Sequence, residues 1–173
     1  MNIAVYCSAR TNIAKECFDD ARHLGRWIGQ NGHTLVYGGL AMGLMDAVAA
    51  ATAEAGGQVI GVVPQTRLQR QHPDNSVNIL VSNLHERKAT MEEHADVFVA
   101  LDGGYGTLDE VMSALASMSF FDEPKRILLL DRDGLFQPLR QLFSGLVARG
   151  LMAAEVADRV EYYPSVEQLE KAL

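Results

Sequence analysis

The sequence predicts an α/β fold, a doubly wound, mostly parallel sheet with helices on both faces, Rossmann-like in organisation. Three observations lead there. Seven short apolar runs rich in β-branched residues alternate with helical patterns from one end of the chain to the other. The runs are apolar on successive residues rather than on every second one, which is the pattern of strands covered on both faces. The chain has 173 residues, 48% hydrophobic and 21% charged, a size suited to one compact domain that buries about 70% of its unfolded surface.

Taken in order, Ile-Ala-Val-Tyr-Cys at residues 3–7 reads as the first strand. Residues 14–30 follow as a helix by apolar positions three and four apart, stopped by Gly32. Residues 34–37 form the next strand, and 42–55 the next helix, ending at Gly56-Gly57. Strands at 59–63 and 77–81 flank the only stretch rich in polar and turn residues, 65–78, with Arg67, Arg70, His72, Pro73 and Asp74. It is expected as a surface loop, with a mobile flap over a site as the alternative. A helix at 84–94, a strand at 97–101, a helix at 108–119 and a strand at 127–130 continue the alternation. The chain closes with a helix at 135–148 before Gly150, a strand at 160–163 and a helix at 166–173. No composition shift or repeat divides it, so residues 1–173 are read as a single domain.

Lys plus Arg number 15 against 22 Asp plus Glu, for a net charge of -7. A polyanion such as duplex DNA meets net repulsion, so nucleic acid is not an expected partner. Cys7 and Cys17 match no metal-ligand spacing and are too few for a disulfide framework, which favours a reducing compartment. No apolar run approaches the ~18 residues that span a bilayer. The expectation is a cytoplasmic protein with no membrane partner.

In an open parallel sheet, ligands bind beyond the carboxyl ends of the strands. After the strand at 34–37 comes Gly38-Gly39-Leu40-Ala41-Met42-Gly43, opening a helix. Glycines there let backbone N–H groups approach an anion, and the helix start adds about half a positive charge. Tight strand-to-helix turns also use glycine for steric reasons alone. The spacing is neither Gly-x-Gly-x-x-Gly nor a P-loop. After the strand at 97–101 comes Asp102-Gly103-Gly104-Tyr105-Gly106-Thr107-Leu108-Asp109-Glu110. Three glycines in four positions and a hydroxyl suit a second anion contact. Thr107 and Glu110 also have capping-box spacing, which would occupy the Glu110 side chain without any ligand.

The third cluster is Ser82-Asn83-Leu84-His85-Glu86-Arg87-Lys88. Asn83 has the character of an N-cap, with Glu86 completing a box. Leu84, Arg87, Lys88, Met91 and Ala95 share one face by their offsets. Two cations thus fall on the face that should be buried, in early turns where the helix dipole disfavours them. An anionic ligand or a buried carboxylate resolves that conflict, and snorkelling to solvent is the alternative. Together the strand ends offer backbone donors, a cation pair and Glu110 as general base or carbocation stabiliser, which suits a phosphorylated sugar or nucleotide. No Gly-x-Ser-x-Gly elbow supports a serine hydrolase. His23, His33, His72, His85 and His94 form no zinc spacing, and no metal or organic cofactor is expected.

These clusters, in this order, resemble the LOG (Lonely Guy) family of cytokinin riboside 5′-monophosphate phosphoribohydrolases, long labelled lysine decarboxylase-like. The markers are Val5-Tyr6-Cys7-Ser8, Tyr37-Gly38-Gly39 with Gly43-Leu44-Met45, Gly61-Val62-Val63-Pro64, His85-Glu86-Arg87-Lys88-Ala89, and Gly103-Gly104-Tyr105-Gly106-Thr107 with Glu110. The resemblance implies hydrolysis of the N-glycosidic bond of a purine-type nucleoside 5′-monophosphate, giving free base and ribose 5-phosphate. It implies Arg87 and Glu110 as the catalytic pair; on physical grounds Arg87 would hold the carboxylate ionised and placed, or contact the ribose hydroxyls. It further implies that Gly39, Gly43, Gly104, Gly106 and Thr107 grip the phosphate, with Gly103 also in the substrate-binding set and Lys88 as supporting charge, and that the protein is a homodimer. A pyridoxal decarboxylase would need a Schiff-base lysine, and none of Lys15, Lys88, Lys125 and Lys171 has a recognisable cofactor setting. Asp102 stands where the family motif begins with proline, and Leu40 and Asp46 where glycines are common. A carboxylate beside a phosphate loop weakens anion binding unless it points away or is paired. The alternative function is therefore a non-catalytic nucleotide or phosphorylated-cofactor binder, as in molybdenum-cofactor carrier proteins of the same fold.

Overall fold

All seven strands form in the computed structural model, which describes residues 1–173. They are β1 (Asn2–Tyr6), β2 (Thr34–Tyr37), β3 (Gln58–Pro64), β4 (Val77–Val81), β5 (Val97–Ala100), β6 (Ile127–Leu130) and β7 (Val160–Tyr163). The helices are α1 (Lys15–Gln30), α2 (Gly43–Glu54), α3 (Leu84–His94), α4 (Tyr105–Phe120), α5 (Gln137–Ala148), α6 (Ala154–Ala157) and α7 (Val166–Glu170). The sheet is parallel throughout, in the order β4-β3-β2-β1-β5-β6-β7. β1 lies at the centre, with Val5 level with Tyr37 on one side and Val99 on the other. The chain winds outward from β1 to β4 and then returns to β5, so the order reverses between β1 and β5 and opens a crevice at their carboxyl ends.

Successive residues of β1 serve two cores. Ile3, Val5 and Cys7 pack with α1, α2 and α7, whereas Ala4 and Tyr6 pack with α3, α4 and α5. This is why the strand runs are apolar at every position. On the first face α1 crosses α2 closely, because a Cβ on Gly25 would lie 2.5 Å from the Val48 carbonyl oxygen and one on Gly29 2.6 Å from that of Thr52.

Element ends shift by one or two residues in several places and α7 stops at Glu170 rather than 173; three differences bear on the site or the path of the chain. α4 begins at Tyr105, three residues ahead of Leu108, because extended Gly104 serves as its N-cap without a side-chain bond. Thr107 is therefore inside the first turn, no capping box forms, and Glu110 is free for other contacts. The short α6 had no periodic signal to announce it. The stretch 65–78 holds a 3₁₀ turn, Gln65–Arg70, and is fastened to the glycine turn after β2. Ala41 N–H donates to the Arg70 carbonyl (3.0 Å), His72 N–H donates to that of Gly39 (2.9 Å), and Leu40 bridges Gln71. These bonds tie it down, so it does not hang as a flap. No helix is long and apolar enough to cross a membrane.

Candidate active site

The Arg87 side chain is set by the start of α3. Asn83 Oδ1 accepts from the N–H groups of His85 and Glu86, each at 2.9 Å. Glu86 Oε2 accepts from Ser82 N–H (2.7 Å) and the Ser82 hydroxyl (2.5 Å), one residue before the N-cap rather than on it. With the helix start fixed in this way, Arg87 reaches under the ends of β2 and β3. Its Nε donates to the Val62 carbonyl (3.2 Å) and its Nη2 to that of Gly38 (2.9 Å). The third nitrogen, Nη1, faces Glu110 Oε1 at 3.5 Å, and both side chains are only 13% exposed. Gly38 makes this possible, since a Cβ there would lie 1.6 Å from Arg87 Nη2.

The buried carboxylate that the two cations required is thus present, and it pairs with Arg87 alone. Lys88 turns to the outer side of α4, where Nζ donates to both carboxylate oxygens of Asp109, at 2.9 and 2.8 Å. Burial pushes the Glu110 carboxyl up to about 7, against the opposing attraction of Arg87; Asp109 adds a small upward push and Lys88 a small downward one. Arg87 therefore places the carboxylate but does not keep it fully ionised at neutral pH, because desolvation outweighs a single ion pair. A carboxyl balanced near neutrality in a cleft is suited to moving protons.

Glu110 lines a cavity of about 240 Å³ together with residues from three strand ends. Gly104, Tyr105, Gly106 and Thr107 bring the first turn of α4, whose N–H groups have no partner within the helix and carry its positive end. Gly104 and Gly106 have nothing within 4 Å of where a Cβ would be, so their backbone is open to a ligand. Gly103 lies behind them, and its missing Cβ makes room for the Thr107 hydroxyl. Gly39 and Gly43 do not line the cavity. Both have positive φ, +75° and +57°, and their role is local: Gly39 packs on Val63 and Gly61, Gly43 on the backbone of Ser8, Ala9 and Arg10. Gly38 is the glycine of that loop that borders the cavity. His85 is exposed, and His72 is buried beside Asp46, Nε2 to Oδ1 3.2 Å. His72 Nδ1 accepts from Asp74 N–H, so Nε2 carries the proton toward Asp46.

Asp102 also turns away. Its carboxyl is raised by burial, with the Cys17 thiol as hydrogen-bond partner and Asp20 and Asp133 nearby, on the α1 side of β5. Val5, Cys7, Ser8 and Met45, all among the family markers, also line the cavity, and Ala9 and Arg10 of the β1–α1 loop, which no motif in the sequence singled out, complete it. The one clue to them was their place just after the central strand. A larger cavity of about 670 Å³ lies between α5, α6 and β7, remote from the β1–β5 crevice, and gathers mainly apolar side chains with neither glycine turn. No group of three or more His, Cys, Asp or Glu side chains converges as a metal-ligand set.

A sequence model of the family described as "possible lysine decarboxylase" matches residues 45–173. The cytokinin riboside 5′-monophosphate phosphoribohydrolase LOG of Oryza sativa subsp. japonica is 34% identical over 169 residues, covering 96% of this chain and 70% of that protein. The cytokinin riboside 5′-monophosphate phosphoribohydrolase of Mycobacterium tuberculosis (strain ATCC 25618 / H37Rv) is 34% identical over 172 residues, 98% of this chain and 91% of that one. Among solved structures, the molybdenum cofactor carrier protein of Chlamydomonas reinhardtii superposes with a TM-score of 0.78 at 26% identity, over 99% of this chain and 94% of that one. With the paired Arg87 and Glu110 at the foot of the glycine-rich crevice, these similarities place the chain: it belongs to the LOG family.

Proposed function

We propose that the protein is a phosphoribohydrolase that cleaves the N-glycosidic bond of a purine-type nucleoside 5′-monophosphate, releasing the base and ribose 5-phosphate. The observation that carries this reading is the Arg87–Glu110 pair (3.5 Å) in a cavity that also holds the start of α4. As the bond to the base lengthens, positive charge develops at C1′ of the ribose. Ionised Glu110 stabilises that charge and takes a proton from the attacking water, whose oxygen bonds to C1′ while the base departs with the bond's electron pair; that proton then passes from Glu110 to the departing base, which restores the carboxylate. Arg87 holds the carboxylate in position through two backbone anchors that survive proton transfer. The 5′-phosphate sits at the α4 start, against Gly104, Gly106 and Thr107, with Gly103 as support. A carrier function without chemistry is less well supported, because its motive, Asp102, faces Cys17 and Asp20 rather than the cavity.

We also propose a homodimer. Tyr105 (87% exposed), Leu108, Met112 and Phe120 (83% exposed) run along the outer face of α4, an apolar stripe suited to a second copy. A cavity of about 240 Å³ is small for a whole nucleotide. One chain encloses the sugar phosphate, and the base extends toward Tyr105 and the stripe. Incubation with AMP and with isopentenyladenosine monophosphate, followed by chromatography for free base, tests the activity. Base release by the wild type and its loss in Glu110→Gln support the mechanism; undiminished turnover in the variant refutes it.

A further inference from the structure

The cations first assigned to the anion site are already engaged. Arg87 spends its nitrogens on Val62, Gly38 and Glu110. Lys88 is held by both oxygens of Asp109, outside the cavity lining. A phosphoryl dianion at the start of α4 would then meet only uncharged donors, the backbone N–H groups and Thr107, in a chain of net charge -7. One other cation borders the cavity: Arg10, which is exposed and whose guanidinium makes no hydrogen bond or ion pair with the protein.

The backbone beneath Arg10 is firmly held. Ser8 N–H donates to the Asp102 carbonyl (3.0 Å), and the Ser8 carbonyl accepts from Leu44 N–H (2.9 Å). Arg10 N–H donates to Ser8 Oγ at 3.1 Å. The loop lies so close to the start of α2 that a Cβ on Gly43 would come within 2.6 Å of the Arg10 carbonyl oxygen. A free guanidinium on a fixed backbone, bordering the same cavity as the open N–H groups of α4, has the geometry of an anion clamp: one planar fork of donors and one helix terminus.

We infer that Arg10 is the side chain that recognises the 5′-phosphate, and that it makes the site selective for phosphorylated nucleosides over nucleosides. This rests on the proposed nucleotide substrate and names the residue that selects it. Arg10 acts by binding, so its loss should fall on KM rather than on kcat.

The test is steady-state kinetics of the wild type, Arg10→Ala and Arg10→Lys on AMP and on adenosine, with calorimetric Kd values for ribose 5-phosphate alongside. Loss of a charge-assisted contact predicts a KM for AMP raised roughly 10-fold to 100-fold in Arg10→Ala. Ribose 5-phosphate binding should weaken to match, handling of adenosine should stay the same, and lysine should recover part of the loss. Unchanged KM and Kd in Arg10→Ala, or an equal loss with adenosine, overturns the role of Arg10 even while the wild type remains active. A wild type that binds AMP without releasing base overturns the hydrolase reading instead, and the Kd ratios still judge Arg10. Because Arg10 is exposed and bonds to nothing through its side chain, its variants should melt with the wild type.

Discussion

Replacing Glu110 with glutamine removes a carboxyl that folding makes harder to ionise, so the variant should gain stability as the pH rises. Burial moves this group from an unfolded value of 4.5 to about 7. The stability tied to such a raised group is fully present below pH 4.5 and is lost as the pH climbs through 7, because the unfolded chain releases its proton first. At about 1.4 kcal/mol per tenfold change in proton affinity, the difference accumulated by pH 8.5 is on the order of 3 kcal/mol. The side chain is only 13% exposed, so solvent screening takes little from this figure. At low pH a protonated glutamate and a glutamine are near equals, and the two proteins should unfold alike. Urea titrations at pH 4.5 and pH 8.5, on wild type and Glu110→Gln, read the effect directly. In thermal scans it corresponds to roughly 5 to 10 °C in the variant's favour at the higher pH. Stability differences that are equal at the two pH values would refute the argument that burial outweighs Arg87 at this carboxyl.

Further outcomes follow from the same geometry. If ionised Glu110 is the working form, kcat/KM rises with pH and levels off above about 7; a rate that falls as the pH rises through 7 would make it an acid instead. Gly38→Ala puts a Cβ 1.6 Å from Arg87 Nη2 and forces the guanidinium off Glu110, so kcat should drop about 100-fold in a protein that still folds, as circular dichroism would show. Gly106→Ala meets no protein atom within 4 Å, so its melting curve should match the wild type while nucleotide Kd, measured by calorimetry, rises. Met112→Asp, in the middle of the exposed α4 stripe, should shift the protein from dimer to monomer in analytical ultracentrifugation; a wild type that is already monomeric would remove the dimer proposal.

The inner strands were legible because a parallel sheet covered on both faces demands unbroken apolar runs, and β2 and β6 have the bounds their runs predict. The edge strands β4 and β7, less buried and carrying Asn78 and Glu161, keep their predicted bounds as well. Arg87 and Glu110 were legible for different reasons. Arg87 broke the amphipathic rule of its own helix, and the structure answers that conflict with a buried partner. Glu110 was ambiguous, since Thr107-x-x-Glu110 fits a capping box, and only the start of α4 at Tyr105 decides that the box does not form. Side-chain direction was beyond reach. Neighbours on a helix differ by about 100°, and that rotation sends Arg87 into the crevice and Lys88 out to Asp109. Asp102 likewise sits in the expected turn but faces α1. Arg10 was invisible for a simpler reason: a loop arginine has no periodicity to violate, and its meaning comes from contacts that three separate strand ends create.

The junction at Ser8 has a bearing on how such proteins diversify. Its two main-chain bonds, to Asp102 and to Leu44, tie the ends of β1 and β5 and the start of α2 together without using any side chain. A frame stitched by backbone alone is indifferent to the identity of the residues it displays, so mutation can exchange the displayed chemistry while the crevice keeps its shape. A proposed hydrolase and a cofactor carrier with a TM-score of 0.78 between them are what that indifference permits. The fold itself sets no barrier to a change of trade, because the crevice is held by main chain and the chemistry is carried by the side chains displayed on it.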